Sequence, residues 1–151
     1  MIVPTEELAR HRGAVTMVDG GFDPLHAGHV DYFAAAAALG LPVLCNVSSD
    51  TYVSTKHKPL LPEDQRVRVL DAIRHLEYVH LSRTSTVEVL SLLRPRIYAK
   101  GADWEGKLPP EEVAACAELG IEIAYLDTVS QSSTKLVEAF LEGVESRPGI
   151  G

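Results

Sequence analysis

Short apolar runs alternate along this chain with longer stretches in which apolar residues recur at helical spacing. The runs at 14–18, 43–47, 78–81, 96–100 and 121–126 read as buried strands. Between them the pattern predicts helices. The first runs from Gly28 to Leu39 through an unbroken row of alanines, which have the best helical propensity available. Others run from Pro62 to Leu76, from Thr86 to Leu93, and from Pro110 to the stop at Gly120. A last one is capped by Ser132 or Ser133 and reaches about Leu141. Pro4-Thr5-Glu6-Glu7 opens a short extra helix with acidic residues in its first turn, where the helix dipole favours them. Strand–helix alternation of this kind predicts one α/β domain over residues 1–151. Its expected form is a doubly wound sheet of five parallel strands with helices on both faces. Residues 1–13 form an N-terminal extension and the Pro/Gly-rich 146–151 a frayed tail.

Composition narrows the partners. Lys and Arg total 14 against 21 Asp and Glu, a net charge of −7, so long nucleic acids, which need a basic footprint, are not expected ligands. A small phosphorylated ligand needs only a few local cations. Cys45 and Cys116 show neither paired nor clustered spacing, which argues against a disulfide framework or a zinc site. The longest apolar stretch, 33–39, is far short of the roughly 20 residues of a membrane helix. Met1 to Gly13 has no signal-peptide core, so the expected location is the cytoplasm, with no membrane partner.

The polar residues that could do chemistry follow the strands. In a doubly wound sheet, ligands bind beyond the C-terminal strand ends. After the first strand comes the run Gly20 to His29. After the second come Ser48, Ser49, Asp50, Lys56, His57 and Lys58. Lys100-Gly101-Ala102-Asp103-Trp104 follows the fourth, and Ser130 to Lys135 the fifth. His26 and His29 stand three apart where loop becomes helix, so both rings can face a helix N-terminus with its unpaired N–H groups. Gly28 between them leaves room for a ligand against the backbone. A metalloprotease-type metal site would need histidines four apart with a Glu after the first, and Ala27 stands there instead.

The run Gly21-Phe22-Asp23-Pro24-Leu25-His26-Ala27-Gly28-His29 resembles the His-x-Gly-His signature of the cytidylyltransferase-like nucleotidyltransferase superfamily. Asn46 to Asp50, Lys58-Pro59 and Asp64-Gln65-Arg66 are similar to that family's second segment. The stretch from Leu93 to Trp104 resembles the Lys-Gly-Gly-Asp-Tyr/Trp segment of heptose 1-phosphate adenylyltransferases, and Ser132-Ser133-Thr134 the segment that opens the family's final helix. The likeness runs from about Ala14 to Glu138 and implies a Rossmann-like fold. The chain also departs from the pattern: Ala102 replaces the second glycine, and the Arg that glycerol-3-phosphate cytidylyltransferases carry before the last helix is missing. Two look-alikes fail. Gly101 to Lys107 spells most of a P-loop, but Leu108 offers no hydroxyl to Mg²⁺. A class I aminoacyl-tRNA synthetase, which shares the histidine loop, would be far larger.

The resemblance implies transfer of a nucleotidyl group from a nucleoside triphosphate, ATP rather than CTP, to a small phosphorylated acceptor such as a sugar phosphate, releasing pyrophosphate. It implies His26, His29 and Lys58 as catalytic residues. Gly21, Phe22, Asp23, Gly28, Lys56, Arg66, Lys100, Gly101, Asp103, Ser132, Ser133 and Thr134 become nucleotide- or phosphate-binding positions. Asp23 is read as shaping the loop more than touching substrate. Mg²⁺ is the expected cofactor, held mainly through substrate phosphates, with no protein ligand assigned. Two alternatives stay open, a cytidylyltransferase acting on a polyol or amino-alcohol phosphate and a nucleotide-binding regulator without activity. A homodimer is compatible with the sequence.

Overall fold

A computed structural model describes residues 1–128 and 133–145, with side chains omitted at 133, 134, 144 and 145. Among the described residues five strands form one sheet: β1 (Thr16–Gly20), β2 (Val43–Ser48), β3 (Tyr78–Ser82), β4 (Ile97–Gly101) and β5 (Glu122–Leu126). All pairs are parallel and the spatial order is β3-β2-β1-β4-β5. The chain winds outward from β1 through β2 to β3, then returns to place β4 against the other side of β1. The strand order therefore reverses between β1 and β4, which opens a crevice beyond their C-terminal ends.

Among the described residues six α-helices connect and cover the strands: α1 (Ala27–Ala37), α2 (Asp50–Val53), α3 (Glu63–Asp71), α4 (Thr86–Leu93), α5 (Pro110–Leu119) and α6 (Ser133–Glu145). Short 3₁₀ helices lie at Thr5–His11 and Ala102–Trp104. Because alternate strand residues point to opposite faces, each strand serves two cores. Val18, Cys45, Val47 and Ala99 pack under α1 and α3 with Phe33 and Leu70. Met17, Leu44 and Tyr98 pack on the other face with Val89, Leu93 and Cys116. Each fully buried large apolar side chain contributes roughly 1.5–3 kcal/mol, which is what holds helices to both faces.

Several boundaries differ from the pattern-based expectation, for identifiable reasons. β1 lies two residues later than its apolar run, since the ladder with β2 continues through Asp19↔Asn46 and Gly20↔Val47. α3 stops at Asp71 instead of reaching Leu76, because the chain must turn so that the Glu77 N–H can donate to the Val43 carbonyl and start β3. α2 fills part of what reads as loop; it is one turn, capped by the Ser49 hydroxyl accepting from Tyr52 N–H. Gly120 ends α5 with φ 71°, the left-handed conformation that glycine adopts without strain.

Candidate active site

The loop from β1 into α1 is held from below by Asp23 and Arg66. Gly20 has no side chain because the Phe22 ring fills that space; a Cβ there would stand 3.0 Å from the ring. Phe22 adopts a φ of 52° and buries its ring against Phe33 and the edge of His29. Asp23 is buried, and its carboxylate accepts from Leu60 N–H at 2.7 Å and Leu61 N–H at 3.0 Å. Arg66 extends from α3 beneath the same loop. Its guanidinium donates to the carbonyls of Gly21 (2.8 Å), Ser48 (2.7 Å) and Leu61 (3.1 Å), and pairs with Asp50 at 2.8 Å. Only 1% of Arg66 is exposed. These bonds make it a brace that ties β1, β2 and the 60–61 loop together. Phe22 serves the core and also lines the cleft.

His26 and His29 open α1 in a reciprocal cap. The Nδ1 of His26 accepts from Gly28 N–H at 3.1 Å, and the Nδ1 of His29 accepts from His26 N–H at 3.2 Å. The rings stack with centroids 3.8 Å apart. With Nδ1 occupied as an acceptor, a neutral ring must carry its proton on Nε2. Burial, and secondarily the neighbouring His26, lower the His29 pKa to about 4, so this ring is neutral at physiological pH. The Nε2 of His26 is buried with no hydrogen-bond partner among the described residues. Such an unsatisfied donor is rare in a folded protein and marks a place for an acceptor atom.

Two hollows meet at the crevice. The first, about 330 Å³, lies between α1 and the ends of β4 and β5, against His29, Tyr32, Gly101, Asp103, Lys107 and Thr128. The second, about 180 Å³, lies over β2 and β3, against Asn46, Ser48, Ser82, Ser85, Lys56 and Glu112. Asp19, Gly20, Lys100 and Trp104 line both. Lys100 is buried, pairs with Asp19 at 2.8 Å and sits 4.3 Å above the Trp104 ring. A Cβ at Gly101 would approach Asp103 Oδ1 to 2.6 Å and push that carboxylate aside.

The structure thus gathers His26, His29, Gly21, Gly28, Lys100, Gly101 and Asp103 at one edge, with Lys56 at the far wall of the second hollow. Lys58 projects from the exposed loop and lines neither hollow. Ser132 lies outside the described residues, as do the side chains of Ser133 and Thr134. Sequence reasoning missed Asp19, Tyr98 and Glu112. The Tyr98 hydroxyl lies 2.9 Å from Asp19 and 2.8 Å from Glu112. A signal existed: Tyr98 and Lys100 share one strand face, and a charged residue ending an apolar run on the neighbouring strand faces the same way.

A five-stranded parallel sheet with a histidine-capped helix at its switch point defines a nucleotide-handling α/β protein. The chain matches the cytidylyltransferase-like family over residues 17–139 and belongs to that family, whose members are nucleotidyltransferases. It is 35% identical over 145 residues to the bifunctional protein HldE of Photobacterium profundum, covering 90% of this chain and 30% of that protein. It is 34% identical over 160 residues to HldE of Gluconobacter oxydans, covering 97% and 32%. The chain therefore spans about a third of the length of the curated relatives it matches. The crystal structure of a lipopolysaccharide core biosynthesis protein from Thermoplasma volcanium shares the fold with a TM-score of 0.67. It is 23% identical, covering 77% of this chain and 98% of that one. Among the described residues no helix is long and apolar enough to cross a membrane.

Proposed function

We propose that this chain joins the nucleotidyl group of a nucleoside triphosphate, preferably ATP, to a sugar phosphate and releases pyrophosphate. The observation that carries the proposal is the stacked, reciprocally capped His26–His29 pair, which presents neutral Nε2–H donors at a helix N-terminus on the switch-point crevice. The triphosphate would lie across the start of α1, with its nucleoside in the first hollow. The acceptor would occupy the second, where hydroxyl and amide side chains predominate. The likeness of 93–104 to heptose 1-phosphate adenylyltransferases supports the sugar phosphate and ATP, and the HldE relatives are in keeping with a sugar-phosphate acceptor.

Chemistry in this arrangement needs no general base. A phosphate monoester has a second pKa near ~6, so at neutral pH it is largely dianionic and already nucleophilic. An acceptor oxygen attacks the α-phosphorus, a new P–O bond forms, and the bond to the bridging oxygen of the β-phosphate breaks, so both electrons leave with pyrophosphate. The protein aligns the partners and stabilises charge on the transferring group. His26 and His29 donate to the α-phosphate oxygens, while Lys100, held by Asp19, faces the junction. Lys56 and Lys58 draw in phosphates, and Ser132, Ser133 and Thr134, by resemblance, hold the leaving pyrophosphate. Among the described residues no group of three or more His, Cys, Asp or Glu is placed to hold a metal. By resemblance, Mg²⁺ would be held mainly by the triphosphate oxygens, where it would neutralise charge.

Pyrophosphate release tests the reading, with ATP and CTP each offered against sugar 1-phosphates, glycerol 3-phosphate and phosphocholine. The expected result is a higher kcat/KM for ATP with a sugar phosphate. A clear advantage for CTP with a polyol or amino-alcohol phosphate would establish the cytidylyltransferase reading instead. Nucleotide binding without turnover of any acceptor would indicate a regulator.

A further inference from the structure

The strand register assembles a polar row on the face of the sheet covered by α4 and α5. Asp19 of β1 pairs in register with Asn46 of β2, and Asn46 with His80 of β3. Lys100 of β4 joins the row through its ion pair with Asp19. The row floors the second hollow, and α5 lowers Glu112 onto it from its first turn.

Proton counting decides the chemistry of this corner. The Tyr98 hydroxyl has a single hydrogen but lies within hydrogen-bond distance of two carboxyl groups, Asp19 Oδ2 at 2.9 Å and Glu112 Oε1 at 2.8 Å. Two carboxylate anions cannot both be served by one phenol proton, so a second proton resides on one of them. Asp19 also accepts from Lys100 Nζ at 2.8 Å, so its two oxygens already have a donor each. The second proton therefore belongs to Glu112. Groups facing Glu112 are Tyr98 and Lys100 of β4, Asp19 of β1, and Glu111 and Cys116 of α5. A Tyr98 hydroxyl turned toward Glu112 opposes protonation, as do Lys100 and the α5 N-terminus. Burial and the neighbouring acidic groups favour it, and the carboxyl's pKa is raised overall, burial being the largest cause. Glu112 donates to Tyr98, Tyr98 donates to Asp19, and Asp19 accepts from Lys100.

This leaves Oε2 of Glu112, on the wall of the second hollow, as an acceptor with no hydrogen-bond partner among the described residues. Asn46 supplies the complement. Its side chain is 97% buried and its Oδ1 is taken by His80 Nδ1–H at 2.8 Å, with His80 Nε2 accepting from the Thr5 hydroxyl at 2.9 Å. The Asn46 amide nitrogen, on the floor of the same hollow, is a donor with no partner among the described residues. A free donor and a free, uncharged acceptor in one small hollow match groups that both donate and accept, namely hydroxyls.

We propose that Glu112, held as a neutral carboxylic acid by Tyr98 and Asp19, reads a hydroxyl group of the acceptor together with the Asn46 amide, and so selects polyhydroxylated phosphates. This rests on the sugar-phosphate reading above and adds the residues that enforce it. A neutral acid has a physical advantage at this place, since an ionised carboxylate would repel the dianionic phosphate that must enter the same hollow.

The test has two arms. Infrared difference spectra of Glu112→Gln against the unmodified protein, at neutral pH and without substrate, should show loss of one protonated-carboxyl C=O band. Absence of that band overturns the proposal whatever the substrate is. In the second arm, kcat/KM is measured for a sugar phosphate and its singly deoxygenated analogues. Glu112→Ala should lower kcat/KM about 10- to 100-fold for the full sugar, whereas Glu112→Gln, neutral and similar in shape, should stay within about threefold. For one deoxy analogue, Glu112→Ala should cost almost nothing further, the signature of a lost shared contact. Equal losses for Gln and Ala would mean the anion is what matters; equal losses across all analogues would mean a merely structural role. Either overturns the proposal. Should the unmodified protein show the band but turn over only non-sugar phosphates, the sugar-phosphate reading fails and the hydroxyl reader with it.

Discussion

The loops after β1 and β2 face one cleft and are built in opposite ways. From Gly20 to His29 the groups are fixed: Asp23 holds two backbone N–H groups, Arg66 holds the Gly21 carbonyl, and the two histidines cap each other. In the second loop Lys56 and Lys58 are exposed. Lys56 Nζ sits 5.2 Å from the Tyr52 ring centroid, and the His57 ring is hydrogen-bonded to the backbone carbonyl of Lys58. Groups fixed before substrate arrives need no reorganisation when charge develops, so they act on the rate of the chemical step. Long, solvated cations act on encounter and ground-state binding, and are screened by water and salt.

If that contrast is right, the histidines give the largest effect. His26→Ala and His29→Ala should each lower kcat about 10²- to 10³-fold while the chain stays folded by circular dichroism. His26→Ala should also cost about 1 kcal/mol of stability as a lost helix cap. Turnover close to the unmodified level in either variant would remove the basis of the comparison.

Arg66→Ala should act on stability first. It leaves three carbonyls and the Asp50 carboxylate without their donor, a loss of roughly 2–4 kcal/mol, reduced because Asp50 is partly solvated. Arg66→Lys should recover only part, since an ammonium cannot span the fork. Urea denaturation reads this directly. An unchanged midpoint together with a raised KM for the triphosphate would make Arg66 a ligand and not a brace.

Acid should loosen the protein through its buried rings. His29 and His80 both have pKa values lowered to about 4, against 6.5 when unfolded. The unfolded chain then binds protons that the folded chain refuses, so their contribution is complete above about pH 6.5 and declines as pH falls toward 4. Each ring should cost about 1–2 kcal/mol at pH 5, read as a lower urea midpoint than at pH 7.5. His80→Asn should flatten the dependence; a midpoint independent of pH would mean the rings protonate freely in the fold.

The smallest effect belongs to the loose cations. Lys56→Ala should raise KM for the acceptor about 3- to 10-fold, with stability unchanged within about 0.5 kcal/mol. Raising the salt concentration should reduce the difference between variant and unmodified protein. A kcat defect as large as that of the histidines would place Lys56 among the fixed groups.

By itself the sequence determined the layout of this protein and where its chemistry gathers. Apolar runs too short for helices, separated by helical patterns, dictate a parallel sheet covered on both faces. The histidine spacing between paired glycines and an alanine-rich helix needs only local geometry to be read. Tertiary structure decided what depends on neighbours remote in the chain. Arg66 reads as a helix cation, but three carbonyls and a carboxylate from other segments draw it inward. Asp19 of β1 lies 79 residues from Tyr98 and 81 from Lys100, and no spacing rule connects positions so far apart. Only the β1–β4 adjacency, created when the chain doubles back across the sheet, brings it to Tyr98 and Lys100, while α5 folds Glu112 back onto β4. Whether a carboxyl there is charged or neutral is then set by burial and by how many protons its neighbours can share.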